Sequence, residues 1–159
     1  MLDLGAGIGS VGLLTLWRLG RGTLTMVEAQ AQSRALALRT VADLGLADRV
    51  TLHLGDLRDP AVLPLGESWE LVTGSPPYFP VATGKVSPDP QRAGARMELR
   101  GTVLDYARAA ARVLAPTGAF VYCFPASDPR GEEAAAAAGL TLRLRQVVYF
   151  RVDQPLLAL

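Results

Sequence analysis

The sequence predicts an α/β fold, a doubly wound and mostly parallel sheet, in a single domain that spans residues 1–159. Two observations predict it: short apolar runs alternate with stretches of helical periodicity, and a glycine-rich turn follows the first run. Repeated strand-helix-strand units favour parallel strands, because a right-handed crossover helix is their usual link. A chain of 159 residues with 50% hydrophobic residues and a mean hydropathy of +0.23 can bury a substantial core.

The first half of the chain predicts three strands and two helices. Residues 1–4 form a short buried strand because they are apolar and end at glycines, and 8–19 carry apolar side chains at helical spacing. Residues 23–27 are a second strand, 30–44 a helix that ends at Gly45, and 50–54 a strand of alternating character.

The second half predicts three further strands and two helices. Residues 69–73 form a fourth strand, and 97–114 a helix closed by the turn sequence APTG. Residues 119–124 are a fifth strand, 131–138 an alanine-rich helix with Gly139 as its cap, and 141–152 a long strand. Because four residues precede the first glycine and the final PLLAL resembles a strand cut short, we expect a truncated N-terminus and possibly a truncated last strand.

Composition limits the classes of function. A net charge of +1 creates no global field, so it neither supports nor excludes a nucleic-acid partner. The single cysteine, Cys123, cannot form an intrachain disulfide, and no Cys/His cluster predicts a metal site. No apolar run approaches the roughly 20 residues that span a bilayer, and no secretion signal begins the chain, so we expect a cytoplasmic protein without membrane contact. The sequence makes no prediction of oligomeric state.

The glycines after the first strand predict a site for a nucleotide-like ligand, since bare backbone and a helix N-terminus favour close approach. A literal G-x-G-x-x-G at Gly7, Gly9 and Gly12 would indicate a dinucleotide. The register from the strand end favours another pattern, D-x-G-x-G-x-G, matched by Asp3, Gly5, Gly7 and Gly9.

Two more acids follow predicted strands. Glu28 ends the second strand, where a carboxylate can accept both ribose hydroxyls, and Asp56 follows the third. Each alone could be a solvated carboxylate at a strand end. Together with the glycines they predict a cofactor site, because open α/β sheets bind ligands along this edge.

The stretch SPPY follows the fourth strand. Two consecutive prolines fix φ near −65° and disfavour helix at the preceding residues, so Ser75 and Pro76 stay extended with carbonyls aimed into the cleft. Pro77 is the rigid spacer, and Tyr78 supplies a ring. The alternative is a diproline that merely ends a strand.

The glycine pattern resembles motif I of class I S-adenosylmethionine-dependent methyltransferases. With LDLGAGIGSVGL, VEAQ, GDLRD, SPPYFP, ARMELRG and VLAPTGAF in order, the chain resembles the small-methyltransferase group, and within it the bacterial tRNA adenine-N6 methyltransferases that act on position 37 of a valine tRNA. The resemblance implies a Rossmann-like fold and S-adenosyl-L-methionine as cofactor. The cofactor-binding residues it implies are Asp3, Gly5, Ala6, Gly7, Gly9, Glu28, Ala29, Asp56, Leu57 and Ser75.

Roles at that site follow from the resemblance. Asp3 would face the ammonium group of the cofactor, and Asp56 the exocyclic amine of its adenine, with Leu57 beside it. Ser75 and the Pro76 carbonyl would accept hydrogen bonds from a target NH₂, and Tyr78 would stack on the target. Ser75, Pro76, Pro77 and Tyr78 are therefore the predicted catalytic residues, and they need no strong base.

The SPPY stretch at residues 75–78, called the corner below, departs from the family at Ser75, where asparagine is usual. Serine is common in DNA cytosine-N4 methyltransferases, so DNA stays an alternative target, although no sizeable recognition insert fits in 159 residues. A protein glutamine amide is another alternative, and a cofactor-binding or RNA-binding module without activity is a third. The favoured target is adenine N6 in tRNA or another structured RNA.

A long loop over 78–100 carries basic and aromatic residues that suit stacking and phosphate contact. We expect a lid that orders on RNA and contacts the substrate through Tyr78, Phe79, Lys85, Arg92 and Arg96. A solvated loop is the alternative. In the family this loop leads into an AR-x-E segment, here Ala95, Arg96 and Glu98, where Arg96 could face a phosphate or cap a helix.

Four other residues are expected to be structural. His53 lies in a strand, and Cys123 is expected in the core. Trp17 and Trp69 are expected to anchor packing.

Overall fold

The computed structural model describes residues 1–63, 66, 68–83, 86–152 and 154–158. Five strands form a parallel sheet in the order β3-β2-β1-β4-β5. They are β1 (Leu2–Leu4), β2 (Leu24–Glu28), β3 (Val50–Leu54), β4 (Trp69–Gly74) and β5 (Leu114–Tyr122). The predicted parallel α/β sheet is confirmed, and its chain order reverses between β1 and β4.

Helices cover this sheet. They are α1 (Ser10–Leu19), α2 (Ala31–Asp43), α3 (Pro90–Arg96), α4 (Val103–Val113) and α5 (Arg130–Ala137). One apolar cluster joins β1 and β4 to α4 through Leu4, Val72 and Tyr106, and another joins β2 to α1 and α2 through Met26, Leu16 and Ala37. The sheet is therefore packed from two sides, and the strand ends remain free for a site.

A second, antiparallel sheet lies after β5. It consists of β6 (Phe124–Pro125), β7 (Val147–Arg151) and β8 (Gln154–Ala158), in the order β6-β8-β7. The strand predicted over 141–152 is wrong for 141–146, which have no regular structure. The final residues described form β8 and pair with both β6 and β7.

The predicted helix over 97–114 is wrong for residues 97–102. Gly101 has φ 129°, outside the helical region, and Thr102 then caps α4. Thr102 Oγ1 accepts from the Asp105 backbone N–H at 3.4 Å, while an Asp105 carboxylate oxygen accepts from the Thr102 N–H at 2.8 Å. This capping box fixes where the helix begins.

One boundary and one packing prediction also change. The first helix begins at Ser10 rather than at residue 8, because Gly9 caps it with φ 89°. Trp69 is buried as predicted, but Trp17 is 77% exposed. Leu13 and Leu16 occupy the buried face of α1, and Trp17 lies next to Leu16 on a different face.

Candidate cofactor and target site

A cavity of about 310 Å³ opens at the carboxyl ends of the parallel strands, beside the reversal between β1 and β4. Sheets of this topology bind ligands at that place. Of the predicted cofactor residues, all but Gly9 line it: Asp3, Gly5, Ala6, Gly7, Glu28, Ala29, Asp56, Leu57 and Ser75. Gly9 lies at the start of α1, where an added Cβ would meet the Leu13 side chain at 3.0 Å.

Gly5 and Gly7 are glycines for different reasons. A Cβ on Gly5 would lie 2.0 Å from the Tyr106 hydroxyl oxygen, so the tip of that tyrosine occupies the space. A Cβ on Gly7 would meet nothing within 4 Å, because Gly7 faces the cavity. With φ 61° and 58°, both have the left-handed backbone that glycine favours. Gly5 therefore leaves room for the Tyr106 hydroxyl, and Gly7 exposes its backbone to the cavity.

Asp3 is 2% exposed and borders the cavity from below. Its carboxylate accepts hydrogen bonds from the Gly12 backbone N–H at 3.0 Å and from the Thr73 hydroxyl at 2.7 Å. Burial raises the pKa of Asp3 to about 6, although both hydrogen bonds act in the opposite direction. A buried carboxylate of this kind is stabilised by a cation in the cavity.

Glu28 connects the glycine loop to the second strand. One carboxylate oxygen accepts from the Gly7 N–H at 2.7 Å and the other from the Gln30 N–H at 2.6 Å. Because the side chain is 5% exposed and lines the cavity, it holds the loop and also presents lone pairs to a ligand.

Asp56 and Leu57 form another part of the wall, with Leu57 buried. The Asp56 carboxylate receives hydrogen bonds from the Arg58 side chain at 2.9 and 2.5 Å. These bonds lower the pKa of Asp56, so it stays ionised near neutrality.

The SPPY corner reaches the same cavity. Ser75 and Pro77 line it, Pro76 is fully buried, and the register pairs Leu4 of β1 with Gly74 of β4. The glycine loop and the corner thus leave adjacent strands at the same level. The structure therefore brings two of the four predicted catalytic residues, Ser75 and Pro77, to the cavity of the predicted cofactor residues, whereas Pro76 and Tyr78 do not line it.

Tyr78 is fixed at its hydroxyl and at its ring. The hydroxyl oxygen lies 3.1 Å from the Cys123 sulfur, and the ring meets Phe124 edge to face with centroids 5.7 Å apart. Burial and the Cys123 contact raise the pKa of Tyr78. The Cys123 thiol also lies 3.7 Å from the Ser75 hydroxyl. The assignment of Cys123 to the core is therefore wrong: it is partly buried and joins two residues of the corner.

The segment predicted as a long loop contains α3, which forms a side of the cavity. The Gln91 amide nitrogen donates to the Ser33 hydroxyl at 2.5 Å, and Gly94, Ala95 and Arg100 line the cavity. The helix begins where Asp89 accepts a hydrogen bond from the Gln91 N–H, directly before Pro90. This segment thus lies against the cofactor region as well as against the corner.

The predicted substrate residues are more widely spaced than the predicted cofactor residues. Phe79 is 46% exposed, and the Arg96 guanidinium lies 5.8 Å from its ring centroid. Arg92 and Arg96 are exposed on α3. Lys85 lies outside the described residues, and its substrate role stays a prediction.

Sequence reasoning missed several cavity residues, among them Gln30, Ser33, Arg100 and Tyr106. Tyr106 lies on the buried face of α4, and its apolar spacing resembled ordinary packing. A signal existed for the start of α4, because Thr102 and Asp105 match the capping-box spacing. No sequence signal indicated that Arg100 lines the cavity, because its place there depends on the position of α3.

Within the parts of the chain that the structure describes, no helix is long and apolar enough to cross a membrane. Among those same residues, no group of three or more His, Cys, Asp and Glu is placed to hold a metal ion.

Comparison with known proteins bears on the fold of the chain. No family model matches the chain. The chain is 32% identical over 104 residues to a ribosomal protein uL3 glutamine methyltransferase of Bradyrhizobium diazoefficiens, a match that covers 65% of this chain and 31% of that protein. The chain thus spans about a third of the length of this relative.

Two solved structures illustrate the fold. TrmN from Thermus thermophilus aligns with a TM-score of 0.67 at 20% identity, over 99% of this chain and 42% of that one. A geranyl diphosphate C-methyltransferase from Streptomyces coelicolor A3(2), solved with S-adenosyl-L-homocysteine, aligns with a TM-score of 0.56 at 16% identity, over 89% and 47%. The chain therefore has the Rossmann-like fold of class I S-adenosylmethionine-dependent methyltransferases.

Proposed function

We propose that this chain transfers a methyl group from S-adenosylmethionine to a planar NH₂ group. One observation carries the proposal: Ser75 and Pro77 of the corner line the same cavity as Asp3, Glu28 and Asp56. A fold of this kind supports many activities, so this combination of residues, and not the fold, indicates the activity.

The cavity residues fit this cofactor. Asp3, a buried carboxylate that lines the cavity, would face the ammonium group, and Glu28 and Asp56, which also line it, would face ribose and adenine. Gly7 leaves backbone open where a side chain would fill the cavity. When bound, S-adenosylmethionine supplies an electrophilic methyl group on a sulfonium.

The corner residues act on the NH₂ group that receives the methyl group. A conjugated NH₂ has its lone pair delocalised, so acceptors that align its N–H bonds favour the pyramidal nitrogen that is nucleophilic. Ser75 and the Pro76 carbonyl supply those acceptors, and the prolines keep them in place. The Tyr78 ring limits where the NH₂-bearing group of the substrate can lie.

A protein glutamine side chain is the target class that we favour. The supporting observation is the similarity to the uL3 glutamine methyltransferase, which matches 104 residues of this chain. A carboxamide is planar and conjugated and fits the same acceptors. The substrate would then be a protein segment that presents glutamine at the corner.

Adenine N6 in a structured RNA is the second candidate. It is favoured by the exposed Phe79 ring with Arg96 against it, and by the exposed Arg92 on the same helix. Exposed aromatic and basic side chains suit stacking on bases and contact with phosphate.

Methyl-labelled cofactor distinguishes these targets. The chain is incubated with S-adenosylmethionine and separately with ribosomal protein, tRNA and DNA, and products are digested and identified by mass spectrometry. Methylglutamine alone supports the first target, and N6-methyladenine in RNA the second. Calorimetry with S-adenosylhomocysteine tests the cofactor: binding without transfer to any NH₂ would indicate a binding module, and absence of binding would refute the proposal.

A further inference from the structure

Arg130, the first residue of α5, lies next to the corner although the sequence separates them by 52 residues. One terminal nitrogen of its guanidinium donates to the Tyr78 backbone carbonyl at 3.0 Å and to Asp128 at 2.7 Å. The other terminal nitrogen donates to Glu98 at 2.5 Å. The same guanidinium lies 5.3 Å from the centre of the Phe124 ring.

These contacts require arginine in particular. The planar fork directs hydrogen bonds to two carboxylates and one carbonyl, and lysine has no equivalent geometry. The Asp128 and Glu98 carboxylates raise the pKa of Arg130, so it remains a cation. The Glu98 side chain is 9% exposed, and a carboxylate so buried depends on its partner.

The contacts form a closed loop around the corner. The Glu98 backbone N–H donates to the Phe79 carbonyl at 2.9 Å, while the Glu98 side chain holds Arg130, which holds the carbonyl of Tyr78. Phe124 joins the loop because it packs against both the Tyr78 ring and the Arg130 guanidinium. Tyr78 is therefore held through its carbonyl by Arg130, through its hydroxyl by Cys123 and through its ring by Phe124.

We propose that Arg130, with Glu98 as its buried partner, is a positioning residue that sets the Tyr78 ring and the acceptors of the corner for the incoming NH₂ group. This inference rests on the proposed methyl transfer. Arg130 does not line the cofactor cavity, so its effect falls on turnover and leaves cofactor binding intact. The Glu98 contact also gives the AR-x-E segment a role in holding the corner.

The first experiment separates turnover from cofactor binding. Arg130→Met is expected to lower kcat by about ten- to a hundredfold, since small displacements of positioning groups have effects of that size. The Kd for S-adenosylhomocysteine is expected to stay within about twofold. Arg130→Lys retains charge without the fork and is expected to fall between the wild type and Arg130→Met.

The matched control is Arg145→Met. Arg145 also pairs with a carboxylate, Glu132 at 3.1 Å, and also donates to a backbone carbonyl, that of Ala126 at 2.6 Å. It has no contact with the corner, so kcat is expected to remain near that of the wild type. If Arg130→Met is folded and has the wild-type kcat, or if both variants lose kcat equally, the inference is wrong.

A second measurement does not depend on methyl transfer. Cys123 is the sole cysteine, and its thiol contacts the Tyr78 hydroxyl. Freeing Tyr78 by Arg130→Met or by Glu98→Gln is expected to speed iodoacetamide labelling of Cys123 by about threefold or more, because local opening exposes the thiol. Arg145→Met is expected to label at the wild-type rate.

The two measurements can refute the proposed function and the role of Arg130 independently of each other. Faster labelling in a protein that transfers no methyl group would contradict the proposed function and support the positional role of Arg130. An unchanged labelling rate in folded Arg130→Met and Glu98→Gln would overturn the positional role, whatever the activity. If Arg130→Met fails to fold, Arg130→Lys and Glu98→Gln decide the matter by the same criteria.

Discussion

Replacing Asp3 by asparagine is expected to stabilise the cofactor-free protein while it weakens cofactor binding. Asp3 is 2% exposed, and burial raises its pKa from 3.8 to about 6. Ionising this side chain in the fold therefore costs about 3 kcal/mol relative to the unfolded chain. The amide removes that cost and keeps both contacts, since its oxygen can accept from Gly12 N–H and its nitrogen can donate to the Thr73 oxygen.

The sign of the pH dependence follows from linkage. An acid with a raised pKa binds more protons in the folded state, so its contribution to stability is full below about pH 3.8 and is lost as the pH rises through 6. The free energy of unfolding of Asp3→Asn is thus expected to exceed that of the wild type by about 3 kcal/mol at pH 7.5 and by about 1.5 kcal/mol at pH 5. Urea unfolding of both proteins at the two pH values, without cofactor, measures the difference.

Cofactor binding is expected to change in the opposite direction. The Asp3 carboxylate faces a cavity suited to an ammonium group, so Asp3→Asn is expected to weaken S-adenosylhomocysteine binding by about tenfold or more. The wild-type affinity should fall below pH 6, where Asp3 is protonated, and that dependence should be absent from Asp3→Asn. A variant that is less stable than the wild type at pH 7.5, with a difference independent of pH, would show that ionised Asp3 does not destabilise the fold.

Three further substitutions test other parts of the structure. Tyr78→Ala is expected to lower kcat far more than cofactor affinity, measured by steady-state kinetics and calorimetry; equal losses would argue against a target-side role. Gly5→Ala places a Cβ against the Tyr106 hydroxyl and is expected to cost about 1–3 kcal/mol in urea unfolding, with partial recovery in the double variant with Tyr106→Phe. Thr102→Ala removes the capping box and is expected to cost about 1 kcal/mol with kcat unchanged, and a loss of kcat without a loss of stability would contradict this.

The sequence predicted the parallel sheet and the cofactor end of the site because both depend on local patterns. Asp3, Gly5, Gly7 and Glu28 lie within the first 28 residues, and each lies in a strand or in the turn directly after one. Strand ends in a parallel sheet meet at one edge, so the positions along the chain were enough to bring these residues together.

The errors have two sources: local helix-start signals that were outweighed, and contacts between residues that are distant in the sequence. The apolar spacing after Met97 favoured a continuous helix, but the backbone at Gly101 and the Thr102 cap end that continuity. α3 was missed because it has only 7 residues and contains Gly94, although Asp89 and Pro90 are a typical N-cap and first helical residue. Its Gln91 bond to Ser33 spans 58 residues, and no local pattern encodes such a contact.

The two ends of the site differ in how they are built. The cofactor end is held by bonds from β1, β2 and the glycine loop, such as Glu28 to Gly7. The Tyr78 side of the target end is held by groups that come later in the chain, at Cys123, Phe124 and Arg130. Because these groups belong to β6, α5 and the residue before β6, changes in the packing of that region reach Tyr78 without passing through the cofactor wall. Substitutions of the residues that contact Tyr78 should therefore separate turnover from cofactor affinity, whereas substitutions in the glycine loop should lower both.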